Sequence, residues 1–158
     1  MVEKSIKPGD RIIINDKEGF VKEIRLRSTQ ITTIAKEDII VPNSDFITQQ
    51  VINYTFKDEL TRVACRVGVS YDSNIDLVKK TLFEIAEKHP DIRHDDANKP
   101  AVLFNEFADS SLNFALYCTI NDANKKYKVI SDLNAAVFKE FKKLNIEIAY
   151  PQIDVHMK

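Results

Sequence analysis

Apolar and polar positions change rhythm once along this chain. Up to Tyr54 the apolar residues come in short runs with many β-branched side chains, at residues 11–14, 20–26, 29–34, 39–41 and 50–54. Such residues suit a pleated, half-buried surface, so each run predicts a strand. Pro8-Gly9 marks a turn before the first strand, and the polar stretch from Asn15 to Gly19 predicts another after it. In the second run Phe20, Lys22, Arg25 and Arg27 break strict alternation, which predicts a bulge. Five short strands with no helix-length segment between them describe a small, strongly bent, barrel-like β domain.

The fourth run stops at Pro42-Asn43, because proline fixes φ and has no N–H to give a ladder. Asn43 and Ser44 can turn the backbone with their own side chains, and the next run ends at Ile52-Asn53-Tyr54. Pro42, Asn43 and Asn53 are therefore expected at a joint that divides the molecule.

Beyond this joint, residues 60–71 alternate cleanly. Val63, Cys65, Val67 and Val69 fall on one face, and Arg62, Ala64, Arg66 and Gly68 on the other. Apolar residues at 75, 78, 82, 85 and 86 keep helical spacing until His89-Pro90, with Ser73 and Asp76 resembling a capping box. Residues 101–107 and 112–120 read as two strands joined by Asp109-Ser110-Ser111. Tyr127, Ile130, Asn134, Val137, Phe141 and Leu144 mark one stripe of a long helix, and residues 146–149 a last short strand. The order β-α-β-β-α-β is the ferredoxin-like split unit.

Pro151 ends that unit. Behind it Ile153, Val155 and Met157 alternate with Asp154 and His156, predicting one more strand with no sequential neighbour. A lone strand leaves both edges unsatisfied. Pairing with copies of itself from other subunits is the simplest remedy, so Ile153, Val155 and Met157 are the candidate oligomer interface. The predicted fold class is α+β: a β domain at residues 1–56, a ferredoxin-like α+β domain at 57–150, and an oligomerising strand at 151–158.

Composition narrows the function. At 158 residues, 44% hydrophobic and 30% charged, the chain is ordinary globular material. Residues 1–56 hold eight Lys/Arg and eight Asp/Glu, and the remainder fifteen and sixteen, so neither part carries the basic excess of a phosphate binder. Nucleic acid is not an expected partner. Cys65 and Cys118 are too few for a disulfide framework or a zinc site, which suggests a reducing, cytoplasmic setting. No signal peptide is visible and no run approaches 18 apolar residues, so the chain as given is not expected to span a bilayer.

Candidate chemistry is sparse. His89, Asp91, His94, Asp95 and Asp96 cluster in HPDIRHDD, but at no rigid ligand spacing, so a solvated acidic loop is preferred to a metal site. Arg62 and Arg66 could line an anion site but read more simply as a solvent face. Arg25 and Arg27 with Lys22 could form an RNA-binding edge, though without aromatic partners. No nucleophile elbow, P-loop or dinucleotide fingerprint is present, and three glycines leave little for phosphate-cradling loops. No enzyme activity, cofactor or metal is expected.

Five blocks carry a family likeness: KPGDRIII with EGFVKEI, then IIVPNSDF with INY, VGVSYDSNID, FADSSLNF and YPQIDVHMK. In this order they resemble the cytoplasmic region of the small-conductance mechanosensitive channel family. The resemblance implies an Sm-like β domain, a ferredoxin-like α/β domain and a terminal strand. It implies a homoheptameric cage below the pore at the cytoplasmic face of the inner membrane, its terminal strands forming a small parallel barrel, with side openings for ions and small osmolytes. No stretch of this sequence is expected to correspond to the membrane helices that the family carries before its β domain, as for an excised region or a homologue without them, so no pore residue can be assigned. Residues 35–38 also lack a glycine common in the family. Two readings from other classes stay open, an RNA-binding module on the Sm-like domain and a small-molecule sensor on the ferredoxin-like domain.

Overall fold

The computed structural model describes residues 5–55 and 60–157. The chain divides into two compact units, residues 1–60 and 61–158.

The first unit is a five-stranded antiparallel sheet in the order β4-β3-β2-β1-β5. Its strands are β1 (Arg11–Ile14), β2 (Lys17–Ile24), β3 (Ser28–Thr33), β4 (Asp38–Pro42) and β5 (Ile52–Asn53). The first hairpin turns on Asn15 and Asp16 alone, both at positive φ (50° and 59°), and Ile14 pairs with Lys17. Asn and Asp tolerate this left-handed conformation, and such a two-residue turn follows the natural twist of the strands. Lys17, Glu18 and Gly19, expected in the turn, are therefore strand. The bulge lies at Lys22, because Val21 pairs with Ile31 but Glu23 with Gln30. At residues 35–38 the turn is made with Lys36 at φ 67°, a conformation glycine would adopt without strain. A single-turn helix, α1 (Asp45–Thr48), follows β4 and was not predicted. It is too short to show a period. Ile12, Ile14, Val21, Ile31 and Val41 form the core, with Ile6, Ile39, Phe46 and Val51 packed against it.

The second unit has three full strands in the order β6-β8-β7: β6 (Thr61–Val69), β7 (Ala101–Phe107) and β8 (Leu112–Ile120). Both pairings are antiparallel, so β6 and β7 run parallel on either side of β8, as a split unit requires. Two helices, α2 (Ile75–Lys88) and α3 (Lys126–Lys143), supply the crossovers. Their buried stripes, Val78, Leu82, Ile85 and Ala86 on α2 and Val129, Leu133, Val137 and Phe141 on α3, share one core with Val63, Cys65, Phe114, Leu116 and Cys118. The predicted stripe of α3 was partly misplaced: Tyr127, Asn134 and Leu144 are exposed. The cap of α2 also differs, since Asn74 and not Ser73 is the N-cap, its Oδ1 accepting from Leu77 N at 3.1 Å.

Two expected strands are reduced. Residues 146–149 make only one bridge, Ile148 to Val69, flanked by hydrogen bonds from Ser70 N to Glu147 O (3.0 Å) and Ala149 N to Gly68 O (2.9 Å). Pro151, without an N–H, stops this ladder from growing. Residues 151–157 form no strand within the chain and are exposed throughout. A strand exists only against a partner, and no described strand pairs with this segment.

Candidate functional site

Three of the blocks that carry the family likeness converge where the terminal segment leaves the second unit. Gly68, from VGVSYDSNID, accepts from Ala149 N, and its missing side chain makes room: a Cβ there would lie 3.0 Å from the side chains of Ser111 and Asn113. The FADSSLNF hairpin is tied by Ala108 N donating to Ser111 O (2.8 Å), Ser111 Oγ donating to Asn113 Oδ1 (2.7 Å) and Asn113 Nδ2 donating to Glu106 Oε1 (2.8 Å). The Tyr71 hydroxyl donates to Ala108 O across the same end. Gln152, from the third block, donates its N–H to Ser110 Oγ at 3.2 Å. These contacts fix the base of the terminal segment.

Beyond the base no described residue covers it. Ile153 is 84% exposed, Val155 77% and Met157 92%. Three large apolar side chains on alternate positions, presented to water by a segment without strand partners, form a surface that burial would stabilise.

Pro42, Asn43 and Asn53 all fall inside the first unit. Pro42 ends β4 opposite Ser28. Asn43 grips the β2–β3 turn: its Nδ2 donates to Arg25 O (2.9 Å) and Leu26 O (3.2 Å), and its Oδ1 accepts from Thr29 Oγ1 (2.8 Å). Asn53 belongs to a polar group that sequence reasoning missed. Its Nδ2 donates to Asp10 Oδ2 (2.9 Å) and Ser5 O (3.1 Å), while its Oδ1 accepts from Thr55 N (3.0 Å). Asp10 is almost wholly buried and also accepts from Lys7 Nζ (2.6 Å) and Thr55 Oγ1 (3.0 Å). Burial alone would push its carboxyl up, but the bonds from Lys7, Asn53 and Thr55 outweigh that and hold it below the ordinary range. Next to it Arg11, equally buried, reaches Glu18 at 2.7 Å and lies over the rings of Phe20 and Tyr54. The one available signal was the polar pair Asp10-Arg11 abutting an apolar run. These groups tie β5 and the segment after it to the start of β1.

Most of the remaining candidates are taken up by neighbouring side chains. His89 Nδ1 accepts from Asp91 N (3.2 Å), so Nε2 carries the proton and donates to Asp132 at 2.9 Å, linking the end of α2 to α3. Lys125 holds the Asp91 carboxyl below the usual range, and Arg93 with Asn98 does the same for Asp95. His94 and Asp96 are exposed. No group of three or more His, Cys, Asp or Glu suited to a metal occurs among the described residues. Arg62 lies 4.4 Å over the Tyr117 ring. Cys65 and Cys118 are buried, and desolvation, with the neighbouring Cys65, pushes the Cys118 thiol up to about 12, so it is no nucleophile.

A five-stranded antiparallel sheet followed by a split unit, with a terminal segment unpaired among the described residues, is the arrangement that the resemblance to the cytoplasmic region of mechanosensitive channels implied. The comparisons agree. The family model described as "Mechanosensitive ion channel MscS, C-terminal" matches residues 63–148, and that described as "Mechanosensitive ion channel, beta-domain" matches residues 1–56. The chain belongs to the MscS family of mechanosensitive channels. It is 31% identical over 157 residues to the mechanosensitive channel MscK of Escherichia coli, covering 99% of this chain and 14% of that one. Against the small-conductance mechanosensitive channel of Edwardsiella ictaluri it is 32% identical over 154 residues, 98% of this chain and 52% of the relative. The chain thus spans about half, or much less, of the length of these relatives. The closed-state crystal structure of Helicobacter pylori MscS superposes with a TM-score of 0.89 at 25% identity, over 99% of this chain and 61% of that one. Arabidopsis thaliana MSL1 shares the fold, with a TM-score of 0.77 at 19% identity over 94% and 52%. No helix among the described residues is long and apolar enough to cross a membrane.

Proposed function

We propose that this chain forms the cytoplasmic cage of a channel that opens under membrane tension and releases ions and small osmolytes. Tension would act on membrane helices of the kind that precede the β domain in the family. The cage holds the subunits together and filters what approaches the pore. Seven copies, the number the resemblance implies, pair their terminal segments through Ile153, Val155 and Met157, while Pro42, Asn43 and Asn53 brace the β domain from within. No catalytic step belongs to this reading.

The observation that carries it is the terminal segment: anchored at its base, unpaired with any described strand, and apolar on alternate positions. Ring-forming strands need that combination, whereas a monomeric module would hide such side chains. The native mass of the purified chain tests the reading. A ring of several copies is expected, and deletion of residues 151–158 should move the mass toward monomer. Val155→Asp should do the same while leaving the far-ultraviolet circular dichroism of both units unchanged. A monomer at all concentrations, or an oligomer indifferent to the deletion, overturns it.

A further inference from the structure

The β2–β3 turn of the first unit has no part in the assembly just proposed. Arg25 N donates to Ser28 O at 2.8 Å, closing a four-residue turn with Leu26 and Arg27 at its centre. Those positions usually go to proline, glycine, asparagine or aspartate, which favour the bend. Leucine contributes nothing to it, and Leu26 is 92% exposed. The turn is nevertheless firmly held. Asn43 donates from Nδ2 to the carbonyls of Arg25 and Leu26 and from its backbone N to Arg27 O (2.9 Å). Three successive carbonyls are pinned, so the leucine is presented outward by a rigid knuckle.

Charge and position give the knuckle a direction. Arg25 is paired with Glu23 at 2.9 Å and Lys22 with Asp38 at 3.4 Å. Arg27, also exposed, has no ion-pair partner among the described residues, so the tip keeps one uncompensated positive charge. Gly9 N donates to Val21 O (2.7 Å) and Val21 N to Asp10 O (2.9 Å). β2 therefore passes the segment that leads into β1 and runs on to the turn. The knuckle and that leading segment lie at one end of the unit. In the channel reading, the membrane-crossing part precedes that segment.

We propose that Leu26 and Arg27 form a contact with the anionic headgroup layer of the bilayer, Leu26 entering the interface and the Arg27 guanidinium lying on lipid phosphate oxygens. This rests on the channel reading, which places a membrane at that end of the unit. One knuckle binds weakly and acts only on a chain already held at the surface.

The chain has no tryptophan, so Leu26→Trp creates a lone fluorophore at the tip. The full chain is anchored through an N-terminal histidine tag to vesicles of phosphatidylcholine and phosphatidylglycerol doped with nickel-chelating lipid. Its emission should shift to the blue and lose about half its intensity to brominated acyl chains, as interfacial tryptophan does. Adding Arg27→Glu, or omitting phosphatidylglycerol, should reverse most of both changes. Ile34→Trp, beyond the far end of β3, should keep water-like emission. Water-like emission from Leu26→Trp overturns the proposal, as does equal quenching of Ile34→Trp; indifference to phosphatidylglycerol and to Arg27→Glu overturns the headgroup charge. None of these results touches the channel reading, which the native mass decides separately.

Discussion

Gly19 faces Thr33 across the β2–β3 ladder, and a Cβ built there would lie 2.6 Å from Thr32 O and 2.7 Å from Ile31 Cγ2. Backbone cannot yield as a side-chain tip can, so Gly19→Ala should destabilise the first unit by about 2 kcal/mol, read as a lower urea midpoint. Its place in the sequence, beside Lys17 and Glu18, suggested only a turn; the need for an absent side chain arises from a neighbouring strand. Asp10 teaches the same lesson through charge. Its folded carboxyl lies below its unfolded value of about 3.9, so its stabilising contribution is complete above that pH and is lost as pH falls through the folded value. Asp10→Asn should therefore lower the urea midpoint at pH 7, and the gap from wild type should close below about pH 4. A gap that persists undiminished at pH 2.5 would mean the carboxylate's charge is not what stabilises this corner. Beyond the Asp10-Arg11 pair and the nearby Lys7, the sequence did not foretell this group, because Asn53 and Thr55 meet Asp10 only after β5 has paired with β1.

Elements with a long, clean period were legible. β7 and β8 begin and end where alternation begins and ends, and α2 stops at the residue before His89-Pro90. Short pieces were not. α1 has four residues, β5 two, and residues 146–149 a single bridge, so each is set by what it meets and not by its own pattern. The start of α2 was read one residue early, at Ser73, although Asn74 is an equally good cap. Because Asn74 Oδ1 takes the Leu77 N–H, Asn74→Ala should cost about 1 kcal/mol in urea unfolding, while Ser73→Ala should cost almost nothing. The reverse order would restore the capping box read from the sequence.

At the scale of the whole molecule, family and fold class were legible because five separated blocks kept their order, although each alone is weak. The structure adds why three of them go together: Gly68, the Ser110-Ser111 turn and Gln152 meet at one end of the second unit. The terminal segment they hold leaves Ile153, Val155 and Met157 in water. If such ribbons join side by side, every incomplete circle ends in two raw margins, and only the last recruit heals both at once. That recruit binds two neighbours already tethered to one another, so its effective concentration far exceeds the bulk value. Half-built circles should then be scarce, and a dilution series should show a bimodal mass distribution, single copies and closed circles, with little between. A smooth ladder of dimers, trimers and tetramers would mean that the ribbons join open-ended.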